Sequence, residues 1–293
     1  MKRKQWLALG LAAVLALSMF GVAGCGSDEA EEPAESGQEG SALSGSLNVE
    51  GSDTMVNLSN SWAEAFMTEN PDVMIAVKGG GSGNGIAALI NGTVDFANAS
   101  REIKDEEVTE AEGKGIDPVE TAVASDGIAV IVHPDNPVTG LTLDQLGKIY
   151  RGEITNWKDV GGPDETIAIL SRDSSSGTYE YFKEEVVGDD ANYAKEAKLL
   201  PSTQAIVDET QANEAAIGYV GVGYVTDDVK VLEIDGVAAS VESVLAGEYV
   251  ISRNLYMYSN GEPEDVGKAF LEWILGEDGQ KIVEDEGFVP LAK

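Results

Sequence analysis

Residues 73–101 read VMIAVKGGGSGNGIAALINGTVDFANASR. Val73 to Lys78 is a short run rich in β-branched residues and predicts a strand. Gly79 to Gly85 is a glycine-rich loop, Ile86 to Ile90 a short helix, and Val94 to Ala97 a second strand. A strand, a loop, a helix and a strand in under thirty residues is the unit from which α/β folds are built. The pattern continues on both sides. Upstream, Leu47-Asn48-Val49 reads as a strand. Asn57 to Glu69 reads as a helix with Leu58, Trp62, Ala65 and Phe66 on one face, stopping at Asn70-Pro71 as the residue before a proline requires. Downstream, strands are expected at Gly127–His133, Thr166–Leu170, Ala216–Tyr219, Val229–Ile234 and Leu255–Tyr258. Helices are expected at Leu143–Tyr150, Thr178–Val187 and Pro263–Leu275. Strand–helix alternation of this kind predicts largely parallel sheets. Trp62, Trp157 and Trp273 read as core, and His133 as a structural residue at a strand end.

Composition narrows the function. The 293 residues carry 19 basic and 52 acidic side chains, a net charge of −33. Nucleic acid and anionic membrane repel such a surface. A single Cys excludes an internal disulfide framework, and with a single His it argues against a Cys/His zinc site.

The amino terminus predicts export. Lys2, Arg3 and Lys4 precede an uncharged apolar run from Trp6 to Ala23, which ends in Val22-Ala23-Gly24-Cys25. By length alone the run could be a short membrane span. Small residues directly before the only Cys instead resemble the lipobox of a bacterial lipoprotein, in which residues 1–24 are a signal peptide and Cys25 carries the lipid. Without the signal the chain keeps 16 basic and 52 acidic residues, a net charge of −36. Residues 25–45 are acidic and otherwise mostly Gly, Ser and Ala, a disordered tether.

Three segments place a Gly/Ser/Thr loop between a strand and a helix start: residues 51–55 (GSDTM), 79–85 (GGGSGNG) and 171–179 (SRDSSSGTY). Helix-start amides and hydroxyls can hold an anion, and Arg172 offers a planar fork for an oxyanion. Any one loop reads equally well as a helix cap or a turn. The second lacks the Gly-Lys-Ser/Thr ending of a nucleotide-binding loop. Their convergence with Arg101 and Arg172, in a chain where basic residues are scarce, points to an anion.

At these loops the chain resembles the phosphate-binding lipoproteins of bacterial phosphate ABC transporters, of the periplasmic-binding-protein type II family. The match runs from about Ser46 to the carboxyl terminus. It is carried by GSDT (51–54), GGGSGNGIAALINGTVDFANASR (79–101), DGIAVIVHPDNP (126–137), LTLDQLGKIYRGEITNWKDVGG (141–162), RDSSSGT (172–178), AIGYVGVGYV (216–225) and ISRNLYMYSNG (251–261). The resemblance implies an α/β, two-lobed fold, each lobe a sheet flanked by helices, joined by two crossings. Lobe 1 would comprise residues 46–125 plus 254–293 and lobe 2 residues 126–253. Phosphate would sit between them, held by Thr54, the Met55 amide, Ser82, Asp95, Ser100, Arg101, Arg172, Ser176, Gly177 and Thr178. No catalytic residue, metal or cofactor is implied. The partners implied are inorganic phosphate and the membrane permease of an ABC importer. The chain would be a monomer, lipid-anchored on the extracytoplasmic face of the cell membrane. Two departures stand out: Val250 and Asn254 occupy positions where members often carry Pro, and the acid after Arg172 is Asp173 rather than residue 174.

On this reading Asp95 is the selectivity device. A carboxylate facing an oxyanion is repulsive unless a proton lies between them. Phosphate at neutral pH carries such a proton and sulfate does not. The alternative for Asp95 is to cap a turn or pair with Arg101 or Arg172. For Arg172 it is an interlobe salt bridge. Alternatives for the whole chain are a binder of sulfate, tungstate or molybdate, or a surface phosphatase, although one His leaves little for a hydrolytic base.

Overall fold

The computed structural model describes residues 43–188 and 190–291. The signal peptide, Cys25 and nearly all of the tether lie outside them. Among the described residues no helix is long and apolar enough to cross a membrane.

The elements run in the order β1 (Gly45–Gly51), α1 (Val56–Glu69), β2 (Val73–Lys78), α2 (Ser82–Ile90), β3 (Phe96–Ala99), α3 (Asp105–Gly113), β4 (Pro118–Val132), β5 (Gly140–Leu141) and α4 (Leu143–Tyr150). They continue with β6 (Ala168–Arg172), α5 (Gly177–Phe182), β7 (Lys198–Leu200), α6 (Thr203–Ala212), β8 (Ala216–Gly221), β9 (Lys230–Val231), β10 (Glu233–Ile234) and α7 (Val241–Leu245). The chain closes with β11 (Ser252–Asn260), α8 (Asp265–Leu275) and α9 (Glu277–Asp285). Strand order along the main sheet is β2-β1-β3-β11-β4-β8-β6-β7. The fold is mixed α/β, as expected.

Strand β4 organises it. Its first ten residues, Pro118 to Gly127, run antiparallel to β11. Its last five, Ile128 to Val132, run antiparallel to β8. The strand therefore leaves one half of the sheet and enters the other between Gly127 and Ile128. The β1–β2, β1–β3, β6–β8 and β6–β7 pairs are parallel. The sheets are thus less uniformly parallel than the alternation predicts. The cause is geometric: β4 and β11 pass between the halves and run against the βαβ strands they meet.

One core cluster reaches across both halves, from Leu47 and Val49 of β1 to Leu170 of β6, Ile206 of α6 and Val220 of β8, and a second lies within the second half. Around β1 to β3, the apolar face of α1 (Leu58, Trp62, Phe66) packs with Phe270 and Ile274 of α8. The Trp62 indole donates to the Gly279 carbonyl at 2.9 Å. Around β8 and β6, a second cluster joins Ile128, Val130, Leu146, Ile149, Trp157, Phe182 and Tyr219. Trp157 is fully buried and its indole donates to the Ala215 carbonyl. Trp273 is only half-buried, at the rim of the first core.

Helix α2 starts at Ser82, four residues before the expected Ile86, so the glycine-rich stretch is largely helical. Glycine is a poor helix former, but Gly85 is required: a Cβ there would come within 2.4 Å of the Glu50 carbonyl. The small residues let α2 lie directly on β1. Helix α5 ends at Phe182 and one wider π turn carries the chain to Val187. Expected truncation of Trp157 to Ala costs about 3–5 kcal/mol, the range for emptying a buried indole site. The check is a shift of the urea midpoint without a change in slope.

Candidate functional site

Five hydroxyls from four separate segments meet in the interior. The Ser52 hydroxyl donates to the Ser100 hydroxyl at 2.9 Å. The Ser100 hydroxyl lies 3.2 Å from that of Ser82, which also accepts the Ser100 amide at 3.0 Å. The Thr54 and Thr178 hydroxyls share a hydrogen bond of 2.8 Å. All five residues are buried. Ser52 and Thr54 follow β1, Ser82 opens α2, Ser100 ends β3, and Thr178 lies at the start of α5. The first half of the fold thus supplies four hydroxyls and the second half the fifth.

Ser176 caps α5, its hydroxyl accepting the Tyr179 amide at 3.3 Å. Gly177 follows. A Cβ at this position would stand 2.4 Å from the Ser82 hydroxyl oxygen and 2.9 Å from that of Ser100. Only glycine lets the start of α5 approach the Ser82–Ser100 pair so closely. The first amides of α5 and α2 have no partner within their own helices, so donors from both halves gather at one point.

Two charged residues lie against this cluster. Arg253, on β11, donates from Nη1 to the Ser100 carbonyl at 2.7 Å. Its Nη2 donates to the Thr178 hydroxyl at 2.8 Å and to Asp126 at 3.0 Å. The Asp126 carboxylate also accepts the Val222 amide at 3.0 Å. Asp126 is fully buried. Burial pushes its carboxyl up from the ordinary range, against the opposing pull of Arg253 and the Val222 amide. A carboxylate has about four lone-pair positions, so two remain for another donor.

Arg172 ends β6 nearby. Its Nη1 donates to the Thr203 hydroxyl at 2.8 Å and its Nη2 to the Pro201 carbonyl at 3.0 Å. Asp53, beside Thr54, lies 3.7 Å from Nη2. The Nε atoms of both Arg172 and Arg253 are buried without a hydrogen-bond partner. Burial lowers the pKa of Arg172, while Asp53 opposes the effect.

Three expected site groups lie elsewhere. Asp95 is exposed, before β3 begins, and its carboxylate accepts the Asn48 amide at 2.7 Å. Residues 96–99 form the strand that leads from it to Ser100, so Asp95 stands at the end of β3 remote from the hydroxyls. It caps a strand edge and is not part of the cluster. Arg101 is buried beside α2, but carboxylates surround its guanidinium. Nη1 and Nη2 each donate to Glu107 at 2.8 Å, and Nε meets Glu180. Two carboxylates leave it no net positive charge for an anion. The Met55 amide closes a tight turn onto the Ser52 carbonyl at 3.1 Å, so it is already engaged. Asp173 shapes the loop before α5, accepting from the Ser175 amide and hydroxyl. His133 accepts the Asp135 amide in a turn.

Comparison with known proteins gives the family and the fold. Residues 36–278 match the PBP superfamily domain. The chain is 36% identical to the phosphate-binding protein PstS of Bacillus subtilis, over 97% of this chain and 94% of that one. It is 35% identical to PstS of Pseudomonas aeruginosa, over 87% and 85%. The chain belongs to the PstS phosphate-binding family. Among solved structures, a candidate phosphate ABC transporter substrate-binding protein of Clostridium perfringens, with bound phosphate, superposes with a TM-score of 0.80. It has 37% identity and covers 85% of this chain and all of that one. An ABC-type phosphate transport receptor of Vibrio cholerae gives a TM-score of 0.69 at 28% identity, covering 84% and 100%. The two-lobed architecture of the family is the architecture of this chain.

Within this family member, Ser52, Asp126 and Arg253 join the hydroxyl cluster through hydrogen bonds that sequence reasoning did not anticipate. Asp126 carried a signal: a carboxylate opening the apolar run GIAVIV needs a buried partner. Arg253 carried another, being a rare cation in a strand that otherwise reads as core. Replacing Arg253 by Met is expected to cost about 3–5 kcal/mol of stability, because Asp126 is left buried and unpaired. Adding Asp126→Asn should recover part of the loss. Urea unfolding of the two single variants and the double variant measures this coupling.

Proposed function

We propose that the chain captures inorganic phosphate between its two lobes and delivers it to the permease of an ABC importer. One observation carries the reading: hydroxyls from both halves converge beside Arg253, whose Nε, like that of Arg172 next to Asp53, is buried without a hydrogen-bond partner. A tetrahedral oxyanion has enough acceptor positions to satisfy such a set. The donors assigned are Thr54, Ser82, Ser100, Arg172, Ser176, Gly177 and Thr178, with Ser52 and Arg253 added and Met55, Asp95 and Arg101 removed. Lobe 1 is assigned residues 46–125 and 254–293, and lobe 2 residues 126–253. The hinges lie where β4 and β11 pass between them. Cys25 is assigned as the lipid anchor, which places a monomeric binding protein on the extracytoplasmic membrane face.

Selectivity follows from Asp126. Its carboxylate is linked to Thr178 through a single atom, Arg253 Nη2. A protonated oxyanion can donate to it, whereas sulfate brings a lone pair against a lone pair. Inside a dry site that mismatch costs on the order of several kcal/mol. Arg253 stabilises the carboxylate in the absence of ligand, so the device is present before binding. Micromolar affinity needs about 8 kcal/mol, within reach of many neutral donors and two arginines.

The test is calorimetric titration with phosphate, arsenate and sulfate. Phosphate and arsenate should bind at micromolar Kd or tighter, with sulfate at least about a hundredfold weaker, the equivalent of about 2.8 kcal/mol. Asp126→Asn should weaken phosphate and bring sulfate closer to it. Asp95→Ala should change neither. Equal binding of sulfate by the unaltered protein would overturn the assignment. Gly177→Ala should abolish phosphate binding while the unfolding midpoint moves little, since the clash falls on the site and not on a core.

A further inference from the structure

Arg101, displaced from the ligand set, belongs to a cross-lobe ion cluster. Arg101, Lys104 and Glu107 come from the segment after β3, in the first half of the chain. Glu180 comes from α5, in the second. One Glu180 oxygen meets Arg101 Nε and the other accepts from Lys104 Nζ at 2.7 Å. Glu107 holds Arg101 from behind with two bonds of 2.8 Å and accepts the Lys104 amide at 3.0 Å. The Arg101 side chain is 6% exposed, and those of Glu180 and Glu107 about a fifth. The contacts are therefore screened less than surface pairs. The Arg101 charge is strengthened by this company: its pKa is raised although burial alone would lower it.

The cluster stands at the wall of a cleft of about 480 Å³, lined in part by Arg101, Lys104, Tyr181, Arg253 and Tyr256. Arg253 joins this cleft to the buried hydroxyls. Glu180 lies two residues beyond Thr178, on the helix whose start closes the site. Opening the lobes must pull Glu180 away from both cations, and so must part a half-buried carboxylate from the buried Arg101.

We propose that Glu180, held by Arg101 and Lys104, is an electrostatic clasp that stabilises the closed lobes and sets how long the ligand stays. The inference rests on the phosphate-capture reading, but the clasp contacts no ligand. Two closed-state contributions then add: the anion bridges donors from both lobes, and the clasp bridges carboxylate and cations beside it. Ligand release requires both to part. A clasp of this kind acts on dissociation more than on association.

Stopped-flow phosphate exchange on the full soluble chain, with small-angle X-ray scattering of the ligand-free protein, tests this. Glu180→Gln should raise the dissociation rate about tenfold and leave the association rate within about twofold. Lys104→Met, which removes only the outer arm, should raise dissociation by about two- to threefold. High salt should speed dissociation from the unaltered protein and have little effect on Glu180→Gln. Asp144→Asn, at an exposed pair with Lys148, should match the unaltered protein. Unchanged dissociation in a folded Glu180→Gln protein overturns the proposal. If the unaltered chain binds no phosphate, the functional reading falls and scattering judges the clasp alone. Expansion of ligand-free Glu180→Gln relative to the unaltered protein supports it, and identical scattering overturns it.

Discussion

The buried pair of Asp126 and Arg253 is the constraint on which the arrangement depends. Both residues sit where the chain passes between lobes, Asp126 on β4 and Arg253 on β11, directly opposite each other in the ladder. Isolated, either charge would be too costly to bury. Together they fix the two crossings to each other. The remaining Arg253 bonds reach the Ser100 carbonyl in one lobe and the Thr178 hydroxyl in the other. A single guanidinium therefore registers both hinges and both walls of the cleft.

From that pair the site follows. The position of Thr178 places Gly177 against Ser82 and Ser100, and glycine permits the contact. Thr54 meets Thr178 across the lobes, and Ser52 completes the hydroxyl chain. On one side Asp53 bonds the Thr203 amide at the start of α6, at 2.7 Å. On the other, Glu180 reaches Arg101 and Lys104. Carboxylates thus cross the cleft in both directions while neutral hydroxyls fill its centre. The large negative charge of the chain is compatible with an anion site because the groups nearest the centre are hydroxyls, amides and arginines, and the one carboxylate among them, Asp126, is paired with Arg253. Local donors and low dielectric dominate at that range, and solvent screens the distant surface.

Much of this was legible in the sequence. Strand β2 and helix α4 lie where the apolar pattern and the caps put them, since both are local signals. The three loops also converge as their composition suggested. What was not legible is what long-range pairing decides. Strand β4 runs from Pro118, although Glu120, Ser125 and Asp126 interrupt the apolar pattern, because β11 supplies its partner. Helix α2 begins inside a run of glycines because close packing on β1 outweighs helix propensity. Helices α3, α6, α7 and α9 were missed: α3 and α9 are rich in acidic residues, α6 has a short apolar face, and α7 is only five residues long.

The differences between expected and observed placement share one cause. Asp95 and Asp126 each directly precede an apolar run in the sequence, and sequence alone does not say which of them faces the cleft. The four residues of β3 carry the chain from Asp95 to Ser100, and only the latter end meets the helix starts. Arg101 lies next to the loops, but its partners Glu107 and Glu180 lie 6 and 79 residues away in sequence, and the second comes from the other lobe.

The most direct test of the account is a crystal structure of this protein grown with phosphate. The anion should lie among Thr54, Ser82, Ser100, Gly177 and Thr178, with an Asp126 oxygen within hydrogen-bond distance of one phosphate oxygen and Asp95 far from it. Phosphate bound against Asp95, or held outside the hydroxyl cluster with Asp126 bonded only to Arg253 and the Val222 amide, would contradict it.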